Sequence, residues 1–230
     1  MKTMKTPSEN KTVRMMTVEF DRRIRADEIP MFRGAIISSM DKAPVQFHNH
    51  GDTGLVYSYP LVQYKRIDGN AAVICLGDSI KETGTFFSHY HDNLMIGQQE
   101  SVFNIKSIRL SDIDVHQAEK SIGYSIKSWL PFNQDNYEKF KSLEGLSEKC
   151  AMMEKILTGN ILSFAKGLGI YLDFGVECLI QQISHSGIRK FKNVQMTAYD
   201  IEFRCNVELP DHIGLGKGVS HGFGMLIRKY

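Results

Sequence analysis

The chain has 230 residues, of which 42% are hydrophobic and 23% charged, a balance typical of one large or two small globular domains. No apolar run is long enough to cross a bilayer, and the polar start MKTMKTPSENKTVR lacks the apolar stretch of a signal peptide, so we expect a cytoplasmic protein. Because 28 Lys and Arg stand against 26 Asp and Glu, a nucleic-acid partner would need a local basic surface. The four cysteines lie far apart without a CxxC pair, which predicts reduced thiols and neither a disulfide framework nor a zinc knuckle.

The first half of the chain alternates between strand and helix patterns. Apolar residues at even positions of 13–24 have the period of a strand, and Asp27 followed by Pro30 indicates the start of a helix. The turn Asp68–Asn70 between two apolar runs is typical of a hairpin. The sequence therefore predicts, in the β-α-β-β-α-β order of a ferredoxin-like domain, a strand over 13–24, a helix to about 40, a hairpin of 56–67 and 71–77, a helix over 79–91 and a strand over 99–110.

A second cycle of the same kind follows residue 114. Strand-like residues at 122–132 lead into helical patterns over 134–168, and a second hairpin is predicted with its turn at 186–190. Its long second strand, 191–209, alternates apolar and polar residues from Tyr199 onward. Element order, without a repeat at the level of residues, predicts an α+β protein of tandem ferredoxin-like (RRM-like) domains, 13–115 and 120–230, with a glycine-rich loop before the last strand.

That loop, GLGKGVSHGFG at residues 214–224, carries five glycines among cationic and polar side chains. Too few residues follow it for the helix, strand and acidic residue of a dinucleotide fold, and the Walker pattern fails because Gly218 follows Lys217 where Ser or Thr is required. Exposed backbone N–H groups beside cations would form a cradle for phosphates, whereas the plainer interpretation is a flexible connection whose glycines relieve a tight turn. Composition alone leaves both open.

Two ferredoxin-like halves ending in G-x-G-K-x-x-S-x-G-F-G resemble the CRISPR-associated endoribonucleases of the sixth Cas family, which cut precursor RNA within repeats to give guide RNAs. The aromatic segment YSYPLVQYK, residues 57–65, resembles a stretch in the first domain of the b-like subgroup. The likeness covers nearly the whole chain, and Gly-Phe-Gly is its most telling part. It implies RNA contacts by the loop residues Gly214, Gly216, Lys217, Gly218, Ser220, His221, Gly222, Phe223 and Gly224.

The resemblance also places a catalytic histidine in the loop after the first helix, which contains His48 and His50. Such cleavage uses no metal ion or other cofactor: the ribose 2′-hydroxyl attacks the adjacent phosphate and the departing 5′-oxygen is protonated, leaving a 2′,3′-cyclic phosphate. Histidine can serve as base or acid near neutral pH. A cation or phenol then stabilises charge on the phosphorane. We expect His48 or His50 to carry the proton transfers, supported by Tyr57 and Lys42, while Lys65 is a further candidate close in sequence.

A metal-dependent hydrolase is an alternative, because His48/His50 and His89/His91 both have the alternate spacing of ligands on a strand. No accompanying acidic ligand has a recognisable spacing, however, and surface positions on a short polar helix are favoured for the second pair. The metal interpretation is therefore the weaker one.

Cations in the second predicted hairpin raise a further question. Arg189, Lys190 and Lys192 flank Phe191, and they form either an ordinary solvated turn or a set of phosphate contacts on an RNA stem. A non-catalytic RNA-binding protein of the same fold is therefore another alternative. The sequence predicts CRISPR repeat RNA as partner, predicts no membrane association, and leaves open both a homodimer and other CRISPR effector subunits.

Overall fold

The computed structural model describes residues 12–40, 50–51, 54–55, 59–192 and 194–230, with the side chains of 50–51, 54–55 and 185–186 outside that description. These residues form two four-stranded antiparallel sheets with helices packed against them, a tandem ferredoxin-like fold as the sequence predicts. The boundaries 13–115 and 120–230 stay predictions. None of the helices in the described ranges is long and apolar enough to span a membrane.

The main sheet of the first domain has the strand order β4 (Val62–Ile67), β5 (Asn70–Leu76), β1 (Val13–Arg23) and β8 (Ile105–Ile113). The expected strand over 99–110 is two strands, because Phe103 turns into the core while Asn104 bonds the carboxylate of Asp21 at 2.8 Å. The elements are β1 (Val13–Arg23), α1 (Ile29–Ser38), β2 (His50–Gly51), β3 (Gly54–Leu55), β4 (Val62–Ile67), β5 (Asn70–Leu76), α2 (Ser79–Ser88), β6 (Asn93–Ile96), β7 (Gln99–Val102) and β8 (Ile105–Ile113).

Local patterns place these elements. The apolar even positions of β1 are buried, which confirms the predicted strand: Met16, Val18 and Phe20. Strands β4 and β5 meet at the predicted turn, where Asp68 and Gly69 have φ of 49° and 92°, the left-handed pair that a two-residue hairpin requires. Asp27 is not the helix N-cap. It lies in a 3-10 turn before α1 and bonds Arg25 at 3.1 Å.

The sheet of the second domain has the strand order β10 (Cys178–Phe191), β11 (Val194–Val207), β9 (Gln117–Trp129) and β12 (Met225–Arg228). In β11 the apolar positions Ile201, Phe203 and Val207 are buried, which confirms the predicted alternation. The turn predicted at 186–190 is wrong: these residues belong to β10, and the chain reverses at Lys192, whose φ is 48°. The elements are β9 (Gln117–Trp129), α3 (Gln134–Ser142), α4 (Leu146–Gly167), β10 (Cys178–Phe191), β11 (Val194–Val207) and β12 (Met225–Arg228).

The second helix expected in this domain does not form. Between β11 and β12, a stretch that is described throughout, the chain makes one 3-10 turn (Val219–His221). Five glycines disfavour helix in this stretch. We call residues 214–224 the glycine loop; it takes the place where the helix is expected in a ferredoxin-like domain.

The first sheet is buried on both faces. Val18 and Val73 pack on one side against α1 and α2, while Ala72 and Ile74 belong to a core that continues into the second domain. Strand β5 is accordingly apolar at almost every position, which is typical of a central strand covered on both sides. The two domains therefore share a hydrophobic core, and the glycine loop contributes Leu215 and Val219 to it.

Candidate functional site

The start of the glycine loop is bonded to the first domain. Gln63 accepts the N–H of Gly214 at 2.9 Å, and the Tyr59 hydroxyl donates to the Gly214 carbonyl at 2.8 Å. Gln63 also donates from Nε2 to the Tyr59 hydroxyl at 2.8 Å, which closes a buried network. Buried backbone groups need such partners because water cannot reach them. The first domain thus fixes where the loop begins.

Lys65, which lies on β4 together with Gln63, bonds the middle of the glycine loop. Its side chain is fully buried, and Nζ donates to the Val219 carbonyl at 3.2 Å. A Cβ on residue 214 would lie 2.8 Å from this Nζ, so the glycine leaves room for the ammonium group. Removal from water lowers the pKa of Lys65 to about 7. A lysine that changes charge near neutral pH therefore lies directly beneath the loop.

Lys65→Met is expected to change how stability depends on pH. Between about pH 7 and pH 10 the unfolded chain keeps the lysine proton while the folded protein has lost it, so the free energy of unfolding rises with pH. One proton corresponds to about 1.4 kcal/mol per pH unit. The rise should be missing from the Met variant. Below pH 7 both states hold the proton, and Lys65 should contribute no slope.

Denaturant unfolding of both proteins from pH 6 to pH 10 measures this difference. Comparing wild type with the variant cancels the titration of all other groups. Parallel curves across that range would mean that Lys65 keeps an ordinary pKa in the folded protein.

The tip of the second hairpin meets the glycine loop. The ring of Phe191 lies edge-on to His221 at 5.3 Å and to Phe223 at 5.9 Å between centroids. A Cβ on Gly218 would lie 2.7 Å from the Phe223 ring, so this glycine allows the aromatic cluster to form. Lys192 lies 5.8 Å from the centre of the Phe191 ring. Two groups of residues that the sequence proposes separately for RNA binding are therefore adjacent.

Most backbone N–H groups of the loop are bonded within the protein. Leu215 donates to the Gly224 carbonyl at 2.9 Å, Lys217 to Leu130 at 3.1 Å and Gly224 to Ser128 at 3.2 Å. Such donors are not free for phosphate, which argues against a cradle of exposed backbone N–H groups. The Lys217 side chain is exposed and remains free to approach an anion. The loop is a folded element that presents side chains.

The electrostatic surroundings of His221 are cationic. Burial, and then the charges of Arg33 and Lys192, lower the pKa of His221 to about 4. Its imidazole is therefore neutral at physiological pH, and Nδ1 lies 3.1 Å from the Ser220 hydroxyl. A protonated general acid is not expected at this position. Burial is the main cause of this low pKa, and the positive potential of Arg33 and Lys192 that adds to it would also attract an anionic ligand.

The expected catalytic residues lie mainly outside the described residues. Lys42, His48 and Tyr57 belong to the undescribed ranges, and of His50 only the backbone is described, in β2 opposite Leu55. Their roles stay predictions. In sequence, however, the segment 41–58 leads directly into Tyr59, the residue that bonds Gly214.

The second histidine pair gives no support to the metal alternative. His89 is an exposed C-cap of α2 whose Nδ1 lies 3.1 Å from the Thr85 carbonyl, and His91 is exposed. Across the described ranges, no three His, Cys, Asp or Glu side chains are grouped closely enough to hold a metal ion. The first pair, His48 and His50, is not covered by that search because its side chains are not described.

Sequence reasoning names Lys65 as a candidate to stabilise the phosphorane but missed that Gln63 and Lys65 join the loop to the first domain. Gln63 and Lys65 alternate with Val62, Tyr64 and other buried residues of β4, and all of them are buried. Polar residues at alternate positions of an otherwise apolar strand lie on one face, so they are the signal that could have indicated a polar partner. The sequence could not say that the partner is a loop some 150 residues away.

Comparisons with known proteins agree with this fold. The family profile of the Cas6b N-terminal domain matches residues 11–114, and that of the Cas6b C-terminal domain matches residues 116–229. The protein described as "Uncharacterized protein MJ0978" of Methanocaldococcus jannaschii is 36% identical over 115 residues, which cover 48% of this chain and 75% of that protein.

Two solved structures resemble the whole chain. A crystal structure of Cas6b has a TM-score of 0.84 at 24% identity, covering 95% of this chain and 100% of the other. A structure described as the CRISPR RNA processing endoribonuclease Cas6b has a TM-score of 0.72 at 20% identity, with the same coverage. At these identities the likeness concerns the fold.

Proposed function

Because this chain belongs to the Cas6b family, we propose that it is a metal-independent endoribonuclease that cleaves CRISPR precursor RNA within its repeats to release guide RNAs. The 2′-hydroxyl attacks the adjacent phosphate, and the products carry a 2′,3′-cyclic phosphate and a 5′-hydroxyl. The observation that carries the proposal is the glycine loop, which joins the cationic hairpin to Tyr59 at the end of the segment with His48 and His50.

The work is divided between two parts of the protein. The glycine loop and the hairpin bind and orient the RNA backbone, through the side chains of Lys217, Arg189, Lys190 and Lys192. Between Glu177 and Asp200 the sequence contains no carboxylate, so all the charged side chains of this part of the hairpin are cations. His48 and His50 move the protons, and Lys42 and Tyr57 stabilise the charge that develops on the phosphorane.

One experiment separates the proposal from its alternatives. The protein is incubated with a repeat RNA in EDTA, and the termini of any product are mapped. Cleavage at one position, with a cyclic phosphate on one fragment and a 5′-hydroxyl on the other, is expected. Binding without cleavage would favour a non-catalytic RNA-binding protein, whereas cleavage restored only by added metal would favour a metal-dependent hydrolase.

The salt dependence of RNA binding is expected to report the cationic contacts. Each phosphate contact that is removed should lower the slope of log affinity against log salt by about 0.7 to 0.9. Lys217→Ala and Lys190→Ala should each lose about one contact. Lys155→Ala, a cation in the middle of α4, serves as the matched control. Equal slopes for all four proteins would leave the loop with a purely structural role.

Binding of RNA is also expected to raise the pKa of His221 from about 4, because a phosphate near Arg33 and Lys192 would favour the imidazolium form. A rise of about 1 to 3 units is typical of a nearby opposite charge. Titration of the imidazole signals by nuclear magnetic resonance measures it, with and without RNA. An uncharged methylphosphonate analogue of the same sequence is the control and should leave the pKa low.

A further inference from the structure

A pocket of about 320 Å³ lies beside the cationic hairpin. One wall comes from the chain entering α3, with Phe132, Gln134 and Tyr137, and the other from the hairpin, with Ile188, Gln195 and Thr197. The volume is at the small end of the range for ligand pockets and suits one planar group.

The pocket exists because the hairpin is longer than its sheet. Strand β11 pairs with β9 only as far as Tyr199 opposite Trp129, so the ends of β10 and β11 extend past the sheet. The ring of Phe132 packs edge-on against Tyr199, 6.0 Å between centroids, so the chain entering α3 lies beside the part of the hairpin that extends past the sheet. Phe132 is buried, while Tyr137 is half-buried and lines the pocket, with Nζ of Lys141 5.1 Å from the centre of its ring.

The polar groups of the pocket have hydrogen-bonding capacity to spare. Gln134 and Gln195 are exposed, and within the described part of the chain neither side-chain amide has a protein hydrogen-bond partner. An amide carries both donors and an acceptor, the combination that reads the edge of a nucleobase. In the strand register Lys190 lies opposite Gln195, so a cation lies next to the amide.

We propose that this pocket binds one unpaired nucleobase of the RNA, stacked on Tyr137, with its edge bonded by Gln134 and Gln195 and its phosphate at Lys190. The inference rests on the proposed function, since it assigns a recognition site for the same RNA. Charge complementarity on the hairpin side selects this occupant, because no carboxylate occurs from Cys178 to Tyr199. On the α3 side Glu138 is paired with Lys141, and an aromatic ring beside a cation is the usual arrangement for single-stranded RNA.

The test measures equilibrium binding of a repeat RNA that carries a 2′-deoxyribose at its cleavage position, so that binding is independent of cleavage. A series of this RNA with one abasic nucleotide at each position is compared with the intact RNA. In wild type, one abasic position should weaken binding about tenfold, in line with the loss of one stacked base. Tyr137→Leu and Gln134→Ala/Gln195→Ala should each lower the affinity for the intact RNA to a similar degree. In these variants the abasic nucleotide at that position should cause no further loss of affinity.

The controls separate base recognition from folding and charge. Gln181→Ala/Gln182→Ala removes two exposed amides of β10, the strand that pairs with β11, outside the pocket and should behave as wild type. Gln134→Ala/Gln195→Ala should keep the salt slope of wild type, whereas Lys190→Ala should lower it by about one. Thermal unfolding of each variant confirms that the proteins are folded.

Two outcomes would overturn the inference. If the pocket variants bind all the RNAs as wild type does, no base binds in the pocket. If those variants instead lose the binding of another protein subunit, the pocket is a site for a protein partner. Wild type that binds RNA without cutting it would instead contradict the proposed function and leave the pocket result intact. The two failures are therefore distinguishable.

Discussion

His48→Ala/His50→Ala is expected to reduce cleavage of repeat RNA to background while RNA affinity stays within a few-fold of wild type. Acid-base catalysis by one positioned group typically contributes about 10²- to 10⁴-fold, and this variant lacks both candidate groups. Affinity should persist because the proposed contacts to the phosphates come from Lys217 and the cationic hairpin. Single-turnover cleavage and equilibrium binding, measured on the same RNA, separate the two effects.

The matched control is the other pair with the same spacing. His89→Ala/His91→Ala removes two exposed imidazoles from the end of α2 and should cleave as wild type does. If the first double variant kept full cleavage, the assignment of the active site to the segment 41–58 would be wrong. Loss of cleavage in the control alone would move the chemistry to α2.

The single variants can also assign the acid and the base. An RNA with sulfur in place of the bridging 5′-oxygen has a leaving group that departs without a proton. The variant that lacks the general acid should therefore recover most of its cleavage on this RNA, and the variant that lacks the general base should not. If this RNA restores cleavage in neither His48→Ala nor His50→Ala, neither histidine is the general acid. Tyr57 and Lys42 would then be the candidates for that role.

Local sequence patterns predict most of the first domain because its elements depend on neighbouring residues. The turn at Asp68 and Gly69 and the alternation of β1 are read within a few positions. The predicted turn of the second hairpin is wrong because that prediction also uses neighbouring residues only. Gly187 has a φ of 104° and looks like a turn residue, but it lies at a register shift in β10 and makes a bulge, so the strand continues to Phe191.

The candidate site depends on contacts that no local pattern contains. The sequence predicts the glycine loop and the cations near Phe191 as separate features, and only the fold brings Phe191 against His221. Lys65 is buried because the two domains share a core, and the sequence of β4 alone does not predict that contact. The position of Tyr59 at the end of the catalytic segment likewise gains its meaning only from its bond to Gly214.

Gly224→Ala is expected to be the most damaging single substitution in the glycine loop. A Cβ at this position would lie 1.9 Å from the carbonyl oxygen of Leu215, and φ is +65°. The two backbones cannot separate freely, because Leu215 donates to the Gly224 carbonyl at 2.9 Å. We expect a loss of about 4 kcal/mol or more in the free energy of unfolding, the range of the severe substitutions, or else a displaced loop with weakened RNA binding.

Two other glycines isolate the cause of that loss. Gly97 has the same φ of +65° with no atom near its Cβ position, so Gly97→Ala should show the left-handed strain alone, about 1 to 2 kcal/mol. Gly159 is exposed in α4 with open space around it, so Gly159→Ala should stabilise the protein by up to about 1 kcal/mol. The contact with Leu215 then accounts for what Gly224→Ala loses beyond Gly97→Ala. Equal losses in those two variants would mean that the loop is the flexible connection its composition also allows, and that RNA, not the protein, gives it its shape.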